Sequence, residues 1–194
     1  SFGAAASDFS AVGEPHHFEV LQHGQSMAQV NWRLGGVHNQ LNALAAIAAA
    51  EQMHQLGLAL AKILKAGDLL VLTGPLGAGK TTLSRGIGEG LNVVGTVSSP
   101  TFVIARTHKR TDGGPELVHV DAYRLGSPQE LDDLDIDFAK SISLIEWGRG
   151  FTDGISDSWL DVEIERDQTG ASEERVVRLV GHGPRWADVA GVGL

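Results

Sequence analysis

From Glu51 to Lys65, Met53, Leu56, Leu60, Ile63 and Leu64 recur at three- and four-residue spacing. That period predicts an amphipathic helix, with Lys62 and Lys65 in its last turn and Gly67 as its stop signal. The alanine-rich run at 43–50 has high helix propensity and leads towards the same segment. Leu69-Leu70-Val71-Leu72-Thr73 is a short continuous apolar run, the pattern of a strand covered on both faces. A glycine-rich turn follows, then a helix from about Thr81 to Gly90. Strands are predicted at Phe102–Arg106 and at Leu117–Asp121, separated by the turn Thr111-Asp112-Gly113-Gly114-Pro115. Ser127-Pro128-Gln129-Glu130 reads as a capping box with proline at the first helical position. Residues 142–146 form another buried-type strand. Residues 159–165 alternate apolar and acidic side chains, a strand with one wet face that pairs with 175–180 across the loop at 167–172. At the other end, residues 18–21 and 29–34 flank His23-Gly24-Gln25 and predict a hairpin, while residues 1–15 read as loop. Strands alternating with helices in this order imply an α/β fold.

Composition narrows the class. Among 194 residues, 42% are hydrophobic and 20% charged, as in a packed domain rather than a disordered tail. The longest nearly unbroken apolar stretch, 43–50, is too short to span a bilayer. No cysteine is present, which excludes disulfides and thiolate metal sites. Together with the lack of a visible signal peptide, this sets the expectation of a cytoplasmic protein with no membrane partner. The net charge is −9 and is unevenly placed. Residues 51–110 carry seven basic and three acidic side chains, whereas 111–194 carry seven basic and eighteen acidic ones. So acidic a chain is a poor match for a nucleic-acid duplex on its own. An anionic ligand belongs in the basic middle.

That middle contains Gly74-Pro75-Leu76-Gly77-Ala78-Gly79-Lys80-Thr81, a match to G-x-x-x-x-G-K-[ST]. Glycines let the backbone curl until its N–H groups converge on phosphate oxygens. Lys80 is placed to reach the β- and γ-phosphates of ATP, and the Thr81 hydroxyl to ligate Mg²⁺. The helix behind the loop directs its positive end at the same anion. The candidate nucleotide-binding residues are therefore Gly74, Gly77, Ala78, Gly79, Lys80, Thr81 and Thr82. Such a loop works with a carboxylate at the end of a neighbouring strand. Asp121 and Glu146 both stand where strands should end. Ser99-Pro100-Thr101-Phe102 lies where nucleotide switch segments often sit, and equally reads as a turn before an edge strand. The predicted fold is thus a P-loop NTPase-type sheet, mainly parallel, with helices on both faces and a C-terminal β-hairpin.

The phosphate-loop block, running from Gly67-Asp68 to Ser84-Arg85-Gly86, resembles the TsaE family, small bacterial ATPases of tRNA threonylcarbamoyladenosine biosynthesis. Ser99-Pro100-Thr101-Phe102, His119-Val120-Asp121-Ala122-Tyr123-Arg124-Leu125 and Ile145-Glu146-Trp147 match in the same order. The resemblance covers about residues 51–186 and ends in Gly181-His182-Gly183-Pro184-Arg185-Trp186. It implies that Lys80 and the loop amides bind triphosphate and that Thr81 holds Mg²⁺ with Glu146. Asp121 then helps position Mg²⁺ or the attacking water, and Ser99, Pro100, Thr101 and Phe102 act as a nucleotide-sensing switch. Trp147 is a further functional candidate, although an aromatic after a buried strand is more often packing. The implied partner is a TsaD–TsaB complex, with tRNA met only through it. Arg149 departs from the family, which often carries an acid two residues after the tryptophan. No arginine finger is assignable; Arg85 and Arg124 are candidates, and either could equally be a surface ion pair. A small-molecule kinase and a non-enzymatic nucleotide-binding module are the alternatives.

Residues 1–50 carry a second resemblance. Phe18-Glu19-Val20-Leu21, Trp32 and Gly36-Val37-His38-Asn39 with Asn42 and the alanine run look like the late central domain of a Mur ligase. The Mur phosphate loop and metal ligands are absent. The chain is therefore read as a fusion, with a Mur-like segment at 1–50 and the P-loop ATPase domain at 51–194. His38 and Asn39 are read as the structural start of a helix rather than as a nucleotide site.

Overall fold

A computed structural model describes residues 8–151, 154–167 and 175–188. They divide into two compact units, one reaching Gln52 and the other running from Met53 to Arg166 and on from Arg175.

The first unit is an antiparallel sheet in the order β1 (Phe9–Glu14), β2 (His17–Gln22), β3 (Gln25–Asn31). The hairpin predicted around His23-Gly24 is present. Both residues have positive φ, 49° and 79°, as a two-residue turn between right-twisted strands requires. Residues 9–14, read from sequence as loop, are a strand. Their small side chains give a weak alternation, yet Phe9 and Ala11 pack with Phe18, Val20, Leu44 and Ala48. The early part of helix α1 (Val37–Ala61) supplies Leu44 and Ala48. The alanine run and the Met53 stripe thus belong to one helix, and it stops before Lys62 and Lys65. Lys62 and Ile63 donate instead to Ala59 and Leu60, tight i→i−3 bonds that close the helix.

The second unit is a six-stranded sheet in the order β5-β6-β7-β4-β8-β9. Its strands are β4 (Leu69–Thr73), β5 (Ala105–His108), β6 (Leu117–Asp121), β7 (Ile142–Glu146), β8 (Trp159–Arg166) and β9 (Arg175–His182). The central four run parallel, while β5 and β9 pair antiparallel at the two edges. The expected α/β architecture with its C-terminal hairpin is what forms. The loop predicted between the hairpin strands lies largely outside the described residues.

Both sheet faces are covered. On one, Leu70, Leu72, Leu144 and Val162 pack with Met53 and Leu60 of α1 and with Leu83 and Ile87 of α2 (Lys80–Gly90). On the other, Leu69, Val118, Val120 and Ile145 pack with Leu125 and with Leu131 of α3 (Pro128–Asp132). The capping box at α3 differs from its prediction. Glu130 accepts from the Gly126 N–H at 3.2 Å, and the Ser127 side chain makes no capping bond. The strand predicted at 102–106 starts later, at Ala105, because Val103 and Ile104 both donate to the Pro100 carbonyl and form a turn. Among the described residues no helix is long and apolar enough to cross a membrane.

Two contacts fix the elements around the glycine-rich loop. Asp68, buried just before β4, accepts a two-pronged bond from Arg185 at 2.9 and 3.0 Å, and Arg185 also donates to the Ile63 carbonyl at 2.8 Å. Farther on, the second part of α1 meets α2 glycine to glycine. A Cβ on Gly86 would stand 2.2 Å from the His54 carbonyl oxygen, and one on Gly57 would stand 2.8 Å from the Gly86 Cα. Backbone cannot give way as a flexible side chain can. Gly86→Ala is therefore expected to lower stability by about 1–3 kcal/mol in a urea titration, despite alanine's better helix propensity. A neutral or stabilising result would show that the two helices can separate freely.

Candidate functional site

The loop that leaves β4 enters α2 at Lys80. No side chain caps this helix end, and its N-cap, Gly79, has φ 115°. Any other residue there would be strained, and a Cβ would press on the Met53 side chain at 3.2 Å. Residues 76–82 line a cavity of about 310 Å³ together with Ser99, Thr101, Asp121, Glu146 and Trp147. Of the predicted site residues, Gly77, Ala78, Gly79, Lys80, Thr81 and Thr82 are in this lining. Gly74, Pro100 and Phe102 are not. Gly74 presents its carbonyl to Lys80, Pro100 is buried under its turn, and Phe102 is exposed. A larger cavity, about 890 Å³, lies along β5 and residues 134–141 and contains none of the predicted residues.

Lys80 is buried at the centre of the smaller cavity. Its ammonium donates to the Gly74 and Pro75 carbonyls at 2.7 and 3.2 Å and sits 4.0 Å from the Trp147 ring centroid. Burial holds its pKa below the ordinary lysine value, and the charges of Glu146 and then Asp121 oppose that shift. Both acids are buried at the ends of parallel strands, and the register sets Asp121 directly beside Glu146. One cation faces two carboxylates, so the pocket has local charge to spare for a divalent ion. Among the described residues no group of three His, Cys, Asp or Glu side chains could hold a metal alone. The donor set instead suits a magnesium ion that draws further ligands from a hydroxyl and from phosphate oxygens.

The switch block is tied to this pocket. Thr101 donates to Asp121 at 2.6 Å and shares a 2.7 Å hydrogen bond with Ser99. The other Asp121 oxygen accepts from the Tyr123 N–H at 3.0 Å. Asp121 thus holds the Ser99–Thr101 segment by one oxygen and the turn after β6 by the other. Ile104 and Trp147 have φ of 68° and 61°, a region that costs a bulky residue about 1–3 kcal/mol. Their backbones are held there. The Ile104 carbonyl accepts from the Asp121 N–H at 2.8 Å, and the Trp147 N–H donates to Leu72 at 3.0 Å. Trp147 also packs on Tyr123, with ring centroids 5.6 Å apart.

Comparison with known proteins shows the family. The pattern described as threonylcarbamoyl adenosine biosynthesis protein TsaE matches residues 47–177. The chain belongs to the TsaE family. The tRNA threonylcarbamoyladenosine biosynthesis protein TsaE of Streptomyces coelicolor is 52% identical over 139 residues, 70% of this chain and 94% of that one. The TsaE of Mycobacterium tuberculosis is 44% identical over 131 residues, 63% of this chain and 78% of its own. Among solved structures, Bacillus subtilis YdiB superposes with a TM-score of 0.54 at 30% identity, over 70% of this chain and 81% of YdiB. This is therefore a TsaE-family protein of tRNA threonylcarbamoyladenosine biosynthesis.

One residue of the matching blocks has a role that the sequence did not reveal. His119 is fully buried, and its Nε2 lies 2.9 Å from Glu146 Oε1. A carboxylate only accepts, so Nε2 is the donor in this bond, and Nδ1 has no hydrogen-bond partner among the described residues. A histidine two residues before a strand-end acid, in an otherwise apolar run, was the available signal. Arg149, the departure from the family pattern, pairs with Glu163 and is outside the cavity lining. Arg85 donates to the Val97 carbonyl at 3.2 Å, and Arg124 is exposed. His119→Leu should cost about 2 kcal/mol in a denaturant titration, because Glu146 stays buried without its donor. His119→Gln, which retains an N–H, should recover at least half. Equal losses would show that ring volume, not the hydrogen bond, matters.

Proposed function

We propose that this protein hydrolyses ATP in a magnesium-dependent reaction, and that hydrolysis supports turnover of a TsaD–TsaB complex that carries out the tRNA modification. The observation that carries this reading is the convergence of Lys80, Thr81, Asp121 and Glu146 on one cavity at the open end of an uncapped helix. Loop amides and the end of α2 supply partial positive charge to the β-phosphate. Lys80, which donates to two loop carbonyls, would exchange them for the terminal phosphates. Thr81 and Glu146 are the residues that would hold magnesium, which when bound neutralises charge on the β- and γ-phosphate oxygens. Water oxygen bonds to the γ-phosphorus, the bond to the bridging oxygen breaks to release ADP, and both water protons leave on the inorganic phosphate. Asp121, through Thr101, links the occupancy of this pocket to the Ser99–Phe102 segment. His119 keeps the Glu146 carboxylate oriented.

In this reading tRNA is met through the partner complex, in the cytoplasm. The ATPase domain in this reading is 51–194, and residues 1–50 contribute nothing to nucleotide binding. Asn39 supports that view, since its side chain donates to the Gly35 carbonyl at 2.7 Å and so serves the start of α1.

Lys80→Ala and Thr81→Ala are expected to abolish ATP hydrolysis, by loss of phosphate charge stabilisation and of a metal ligand respectively. Thr81→Ala should weaken Mg²⁺-ATP binding more than ATP binding in EDTA, and equal weakening would refute its metal role.

Phosphate release by the isolated chain should be slow and should rise on addition of purified TsaD–TsaB. Full activity alone, unchanged by the partners, would contradict the coupling. Free tRNA should bind weakly at physiological salt, and a submicromolar affinity would count against the indirect role. His38→Ala and Asn39→Ala should leave Mg²⁺-ATP affinity within a few-fold. A tenfold loss, about 1.4 kcal/mol, would bring the N-terminal segment into the site.

A further inference from the structure

Strand β8 runs on past the end of β4. Leu70 to Thr73 pair with Leu160 to Glu163, so Ile164, Glu165 and Arg166 continue beside the glycine-rich loop. The loop lies close against them. A Cβ on Gly74 would come within 2.5 Å of the Ile164 carbonyl oxygen. Two residues on, and so on the same face of the strand, Arg166 reaches the loop's middle. Its Nη1 is 3.4 Å from the Gly77 carbonyl oxygen, and a Cβ on Gly77 would stand 2.9 Å from that nitrogen. The strand order gives this a direction. β7, which ends in Glu146, is on one side of β4, and β8 is on the other. The loop therefore stands between a carboxylate flank and an arginine flank.

We propose that Arg166 is a nucleotide-binding residue that holds the phosphate on the nucleoside side of the loop, the α-phosphate of ATP or ADP. The proposal rests on the reading of this loop as an ATP site. With the metal end of the polyphosphate at Glu146, the opposite end extends across the loop towards β8. Among the described residues its bond to Gly77 is long and uses one of five guanidinium donors, so a planar, permanently charged fork stands beside the loop. Gly77 is then needed for room as well as for its φ of 75°, since a side chain there would displace the guanidinium.

Calorimetric titration of the full chain with Mg²⁺-ATP, Mg²⁺-ADP and Mg²⁺-tripolyphosphate tests this. Arg166→Gln retains a donor for the Gly77 carbonyl but carries no charge, so it separates phosphate binding from simple bracing of the loop. The expected result is a loss of tenfold or more for all three ligands in Arg166→Gln, with partial recovery in Arg166→Lys. Unchanged affinity in Arg166→Gln, with normal binding by the unsubstituted chain, would overturn the role of Arg166 and leave the ATP reading intact. Loss for the nucleotides but not for tripolyphosphate would assign the guanidinium to the base and overturn the phosphate contact. An unsubstituted chain that binds none of the ligands would overturn the ATP reading and this proposal with it.

Discussion

Burying an ammonium is costly unless charge and hydrogen bonds answer it, and the open end of the larger sheet is arranged around that constraint at Lys80. Two loop carbonyls accept from it, the Trp147 ring covers it, and Glu146 and Asp121 supply opposite charge. Each of these partners depends on others. The carbonyls belong to a loop whose shape requires glycine at Gly79. Trp147 is held in a left-handed conformation by its bond to Leu72, and the acids are delivered by parallel strands in register. In the proposed reading the lysine exchanges these carbonyl partners for phosphate oxygens, and the cavity would then hold an anion next to a cation site.

The acids are not equivalent. Glu146 is oriented by His119 from within the sheet, whereas Asp121 faces outward to Thr101 and the Tyr123 amide. One carboxylate is therefore anchored to rigid core, and the other to a loop that follows a helix and precedes an edge strand. Asp121 is thereby bonded to the Ser99–Phe102 segment through Thr101. Phe102, almost wholly exposed, is at the far end of that segment. Ile104, at φ 68°, closes the turn with its N–H on the Pro100 carbonyl.

Much of this was legible in the chain itself. Continuous apolar runs at Leu69–Thr73 and Ile142–Glu146 can only be strands buried on both faces, and the glycine spacing before Lys80 leaves little choice of loop. The three- and four-residue stripe from Met53 specified a helix. Its merger with the alanine run was foreshadowed by propensity, although its end at Ala61 was set by packing rather than by Lys62 and Lys65. Ordered motif blocks sufficed to identify the TsaE family. Local patterns failed where a distant partner decided the outcome. Residues 9–14 became a strand by packing Phe9 against the first unit's core, and residues 101–104 became a turn because the Pro100 carbonyl captured two amides.

What the sequence by itself determined is the class of fold, the glycine-rich loop and the residue types at the strand ends, since these follow from periodicity and from short motifs of fixed spacing. Only the tertiary structure decided which groups meet. It brought His119 onto Glu146 and Thr101 onto Asp121, and it turned Arg149 away towards Glu163. It also set Arg166 over Gly77, 89 residues away in the chain. The physical reason is that pairing register and strand order set these distances, and both are fixed by packing on the two faces of the sheet at once. No local stretch of side chains contains that information.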